Sequence, residues 1–275
     1  MTDLRIFSYL PNPRVWKATI AARFCGIKIE VRGASGPELR NWLWDYDARP
    51  LSEEEQSDFS SFARTGRVGM KGARLFKSDA FLETQPFGNV PAAFSPGGKV
   101  GIFESNSIMR AVARLGEKQF PLYGRDAYEA SRIDSFLDVS LIFARDTQIY
   151  LLSLLDGTVN EAVHARAKEA FAIYAAGIEC ALSPCLNSLV GDGITLADIC
   201  FATELTLFMN EHQRVRQLND RGLNRILHQN VHTDYPLMMA HFARLAEHPN
   251  FRPDLEPYLR KLSAAAEAGS AAASS

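Results

Sequence analysis

Phe87-Gly88-Asn89-Val90-Pro91-Ala92-Ala93-Phe94, then Ser95-Pro96-Gly97-Gly98, then Val100-Gly101-Ile102-Phe103 and Glu104-Ser105-Asn106-Ser107-Ile108 is the stretch whose reading decides the fold. Val90 to Phe94 and Val100 to Phe103 are short β-branched and aromatic runs around a Pro-Gly-Gly turn, so they predict a hairpin. Ile108, Val112 and Leu115 recur at helical spacing directly after it. A strand running through Glu104 and Ser105 into a helix start makes a small polar socket. The unpaired N–H groups there, at the positive end of the helix dipole, attract a carboxylate. Pro91 has no N–H for a ladder. If its peptide is cis, the Val90 backbone is turned outward, where it can pair with an extended ligand. These residues predict a site for something short, extended and carrying a carboxylate.

Upstream, Leu4 to Tyr9 reads as a strand broken by Leu10-Pro11-Asn12-Pro13. Arg14 to Phe24 is helical in period and ends at Gly26, and Lys28 to Val31 is a second strand. Asn12 between two prolines suits a helix cap, and a strand tyrosine such as Tyr9 suits a core. From Gly33 to about Ala80 the chain carries Trp42, Leu43, Trp44 and Tyr46, then Ser52-x-x-Glu55 opening a short helix, then a basic stretch from Arg64 to Lys77. A structureless loop of that length is disfavoured, so local structure is expected. Its aromatic residues either cover a ligand cleft, extend a subunit contact, or pack on the segment's own helix.

Pro121 and Gly124 mark a linker, and every long segment from Asp126 onward has a helical period. Ala127 to Leu155 is one long helix, and Val163 to Leu189 another or a pair. Thr195-x-x-Asp198 is a reciprocal N-cap with a structural role. Asn210 to Thr233 is a polar insertion, and Tyr235 to Leu245 and Pro253 to Leu262 are closing helices. Ala264 to Ser275 offers no face to bury, so a disordered tail is expected.

The 275 residues are 47% hydrophobic and 23% charged, with net charge −2, which are the values of an ordinary globular chain. Scattered Lys and Arg do not favour nucleic acid as a partner. No apolar run approaches the ~20 residues of a membrane span, and Met1 to Arg5 leads into a strand without a secretory pattern, so a cytoplasmic protein is expected. Cys25, Cys180, Cys185 and Cys200 lack paired C-x-x-C spacing and predict reduced, buried thiols rather than a metal site. His228 and His232, four apart, lack the Glu of an H-E-x-x-H pattern.

Val90-Pro91 before a hairpin, Glu104-Ser105 at a helix start and Thr195-Leu196-Ala197-Asp198 farther on resemble, in order and spacing, the glutathione transferase superfamily. The resemblance implies an α/β thioredoxin-like N-terminal domain (1–116, with an insertion at about 33–80), an all-α C-terminal domain (125–263) and a tail (264–275). It implies glutathione as cosubstrate, lying along Val90 and Pro91, with Glu104 toward its amine and Ser105 toward its γ-glutamyl carboxylate. The group that activates the thiol would come from the Ser8 to Arg14 loop: Asn12 by alignment with serine-type relatives, Tyr9 by its spacing to Pro11, or Ser8. Phe143 and Tyr150 would line the place of a hydrophobic aromatic substrate. Bacterial relatives of this kind include enzymes that cleave β-aryl ethers from lignin. The family's habit implies a dimer with an identical or different partner.

Asn12, Arg14, Lys17 and Ala18 also resemble the transferase-like domain of elongation factor 1 gamma, an assembly module. There the chain continues into a further domain, whereas this sequence stops after its helical part, which weights the expectation toward a free-standing enzyme.

Overall fold

A computed structural model describes residues 2–67, 69–116, 120–182, 187–228 and 230–273, with side chains to residue 264. The chain divides into two compact units, Met1–Phe120 and Pro121–Ser275.

The first unit opens with β1 (Leu4–Phe7), α1 (Pro13–Cys25) and β2 (Ile29–Arg32). Proline at the first helical position and the Asn12 cap start α1. Gly26, at φ 65°, ends it in the left-handed conformation that glycine adopts without a Cβ clash. There follow β3 (Trp42–Trp44), β4 (Arg49–Pro50), α2 (Glu53–Asp58), β5 (Ala63–Thr65), β6 (Arg74–Lys77) and α3 (Asp79–Thr84). The expected hairpin is β7 (Ala92–Phe94) with β8 (Gly101–Phe103), and α4 (Ser105–Leu115) comes directly after it.

β2-β1-β7-β8 form one sheet, with β1 and β2 parallel and the other neighbours antiparallel. α1 packs on α4. On the other side of the sheet the segment at about 33–80 has the local structure expected of it, and its Trp44 packs on the first sheet rather than on the segment's own helix. It builds a second sheet of its own, ordered β4-β3-β6-β5. Trp44 is buried against Phe7 and Phe81 in edge-to-face contacts, with ring centroids 5.4 and 6.0 Å away. Phe7, Leu39, Trp44, Leu75, Phe81, Ala92 and Phe94 make one core. The reason is alternation: Phe7, Ala92 and Phe94 project from one face of the first sheet, and that apolar face needs a cover. Arg5, on the same face, bonds Asp47 at 2.6 Å and lies 4.0 Å over the Tyr46 ring.

The second unit is helical: α5 (Ala127–Leu155), α6 (Glu161–Ala181), α7 (Leu196–Phe208), α8 (Val215–Asn219), α9 (Val231–Asp234), α10 (Pro236–Glu247) and α11 (Arg252–Ala273). Both halves of the Thr195–Asp198 capping box form at the start of α7. The fully buried Asp198 also accepts from the Leu189 amide at 2.9 Å and from His241 Nε2 at 2.8 Å. Where a disordered tail was expected, α11 continues to Ala273. Alanine is the best helix former, and extending an existing helix avoids the nucleation cost. Cys25, Cys180 and Cys200 take part in no disulfide, and Cys180 is exposed, against the expectation of burial. Cys185 lies outside the described residues. Among the described residues no helix is long and apolar enough to cross a membrane.

Candidate functional site

The register of the first sheet brings the sequence-predicted residues to one end of it. Phe7 pairs with Ala92, and Ala92 with Phe103. The residues after Phe7, before Ala92 and after Phe103 therefore emerge side by side: the Ser8–Asn12 turn, Val90-Pro91 and Glu104-Ser105.

In the turn, the Ser8 amide bonds the Arg32 carbonyl and the Leu10 amide bonds the Ala34 carbonyl. A Cβ on Gly33 would lie 1.7 Å from the Ser8 carbonyl oxygen, so only glycine allows this approach. Asn12 caps α1: its Oδ1 accepts from the Arg14 amide at 3.0 Å while its Nδ2 donates to Ser8 Oγ at 3.1 Å. Asn12 and Ser8 are both fully buried. Tyr9, half-buried, packs against the aromatic core beneath the second sheet.

The Val90–Pro91 peptide is cis, and so is Leu10–Pro11. Val90 is half-buried and has no hydrogen-bond partner among the described residues. The segment before it is held by two buried side chains. Lys77 Nζ donates to the Gly88 carbonyl at 2.6 Å. Gln85 donates to the Asn89 carbonyl at 3.0 Å and accepts from the Phe87 amide at 3.0 Å. Burial lowers the pKa of Lys77, with Arg67 adding a repulsive contribution.

Glu104 is exposed and stands at φ 66°, ψ 125°, a combination that L-residues seldom adopt. Its side chain makes no capping bond. Ser105 is the first residue of α4 and is 7% exposed. Beneath it lies Lys17, fully buried, whose Nζ is 3.4 Å from Ser105 Oγ and 2.7 Å from Asn106 Oδ1. A helix start backed by a buried cation is a place where an anion is favoured.

The sequence reading missed Lys17, Lys77 and Gln85 as contributors to this end of the sheet. A lysine spaced to fall on the packed side of α1 was the available signal for Lys17. Phe143 and Tyr150, expected beside a substrate, are instead core residues of the second unit. Phe143 stacks on Tyr174 at 4.4 Å, and the Tyr150 hydroxyl donates to the buried Glu211 at 2.6 Å. A residue with its ring or hydroxyl committed in this way is not available to a ligand.

No protein-family model matches the chain. Among solved structures, a glutathione S-transferase from Methylobacterium radiotolerans in complex with glutathione sulfonate superposes with a TM-score of 0.61 at 17% identity, over 92% of this chain and 95% of that one. This chain has the glutathione transferase fold. The fold implied by the resemblance at Val90-Pro91, Glu104-Ser105 and Thr195 to Asp198, an α/β unit followed by a helical one, is therefore the fold of this chain. Elongation factor 1-gamma 1 of Oryza sativa subsp. japonica is 27% identical over 245 residues, 88% of this chain and 46% of that protein. The chain thus spans about half the length of the elongation factor 1-gamma relatives that it matches. Glutathione S-transferase-like protein FUS3 of Gibberella moniliformis is 26% identical over 205 residues, 73% of this chain and 74% of that protein.

Proposed function

We propose that this protein is a glutathione-dependent transferase, in which the glutathione thiolate attacks an electrophilic carbon of a hydrophobic substrate. One observation carries the reading: the convergence of the Ser8–Asn12 turn, the unpaired backbone at Val90 and the Glu104-Ser105 helix start at one end of a sheet. Glutathione lies extended along Val90 and Pro91. Its γ-glutamyl carboxylate meets Ser105 and the α4 amides, and its amine meets the exposed Glu104 carboxylate.

The thiol is turned toward the Ser8–Asn12 turn. Lowering a thiol pKa by about two units, from near ~8.5, takes roughly 2.7 kcal/mol of preference for the anion. A hydrogen bond to a charged acceptor supplies about 1.5–3 kcal/mol, and a helix start about 0.3–1 kcal/mol more. One donor at the head of α1 is therefore enough. Asn12 is placed for that role at the head of α1: its Oδ1 is used by the cap and Ser8 takes one Nδ2 hydrogen, so the second hydrogen serves sulfur once the turn opens around the buried side chain. Tyr9 is the alternative donor. Trp44 is committed to the core, so the aromatic residues of the second sheet lend no particular support to β-aryl ether cleavage.

The test is retention on glutathione-agarose, together with glutathione consumption screened against haloaromatics, epoxides, peroxides and β-aryl ethers. Asn12→Asp keeps the cap acceptor but removes the donor, so it should raise the bound thiol pKa, read from thiolate absorbance against pH, while α1 stays folded. A protein that neither retains nor consumes glutathione contradicts the proposal. The elongation factor 1-gamma relatives favour a second reading, a non-catalytic assembly module, and that result is the one it predicts.

A further inference from the structure

We propose that Lys17 is a positioning residue which fixes Ser105 as a hydrogen-bond donor and thereby makes this site select a ligand with a free carboxylate at the start of α4. The inference rests on the glutathione reading above and assigns the selection for its γ-glutamyl end to a side chain that no ligand atom touches.

Lys17 lies one turn into α1, fully buried, and reaches two side chains of the first turn of α4: Asn106 Oδ1 at 2.7 Å and Ser105 Oγ at 3.4 Å. A lysine amine is a donor only, whereas a serine hydroxyl is one donor and two acceptor sites. The contact from Lys17 occupies an acceptor site of Ser105, so the hydroxyl proton points away from Lys17. That proton has no acceptor among the described residues. Ser105 therefore presents an O–H donor beside the unpaired α4 amides. Asn106 is oriented by the same amine, its oxygen toward Lys17 and its NH₂ away from it. A buried positive charge behind these donors adds attraction for an anion, because its field is screened less in the interior than in water. A neutral acceptor at the same place gains the hydrogen bonds without the attraction of the charge, and a cationic group gains neither. Glu104, exposed one residue earlier, is the only anionic group adjoining it in sequence, and it serves the ligand amine.

The experiment compares glutathione with 4-aminobutyryl-cysteinyl-glycine, the same tripeptide without the γ-glutamyl carboxylate, by calorimetry on the full chain. The unmodified protein should bind glutathione at least about tenfold more tightly than the analogue, the effect of a charge-assisted hydrogen bond. In Lys17→Met, which keeps the apolar stem, that ratio should fall toward one while binding of the analogue changes little. A merely structural lysine would weaken both ligands together and leave the ratio intact, and that result overturns the inference. If Lys17→Met does not fold, Ser105→Ala carries the test: an unchanged ratio in that variant equally overturns it. Absence of glutathione binding by the unmodified protein instead refutes the transferase reading on which the inference stands, so the two failures are separate.

Discussion

Glu104 is the one non-glycine residue with a positive φ among those described, and nothing in its surroundings requires a side chain there for packing. Backbone held in such a region costs on the order of 1–3 kcal/mol and persists at sites where the side chain is needed. Glu104→Gly should therefore stabilise the first unit by about 1 kcal/mol while it weakens glutathione binding. Calorimetric melting and titration check the two halves, and undiminished binding would remove Glu104 from the site. Glu211 gives a pH prediction. Burial raises its pKa, against the lowering effects of Tyr150, the Ile226 and Leu227 amides and His164. The folded state then holds a proton that the unfolded state has released between the ordinary glutamate value and the raised one. Stability falls as pH rises through that window. In Glu211→Gln the fall should vanish from urea-unfolding curves taken across pH, and its persistence would assign it to another group. At this scale Val90, Glu104 and Ser105 were legible in sequence because a strand end and a helix start are local patterns. Lys17 was not, since its partners lie 88 and 89 positions away.

The elements that the sequence announced are those with their own start signals. Ser52 and Glu55 form the reciprocal cap of α2, and Thr195 and Asp198 form the box of α7. The second sheet was not announced. β3 and β5 are three residues each and β4 two, too short for alternation to register, and β4 contains Pro50. Its central pairing, Leu43 with Phe76 in parallel, joins distant segments that no local pattern couples. Its packing predicts a cost. Trp44→Ala leaves a cavity between the two sheets and removes the bond from Trp44 Nε1 to the Leu39 carbonyl at 3.0 Å. Loss of about 3–5 kcal/mol is expected, against near neutrality for an exposed aromatic, and denaturant unfolding of the variant decides it. A small change would mean that the segment is peripheral after all.

For the molecule as a whole, the helical unit contributes a polar interior built around Asp198 and Glu211, and the first unit contributes the candidate chemistry. Helical periodicity made the second unit legible at a distance, whereas the assignment of Phe143 and Tyr150 failed because period alone marks a buried face without saying what covers it. The second sheet has a consequence for how the chain is made. β1 leaves the ribosome early, but its neighbour β7 is synthesised only after the intervening strands, since Arg5 pairs with Phe94, about ninety residues later. Until then the first sheet, on which Trp44 packs through Phe7, is incomplete, and a nascent chain exposes both residues. Translation therefore passes through a stage of exposed apolar surface, the kind that invites aggregation, and slower synthesis near β6 would lengthen that stage.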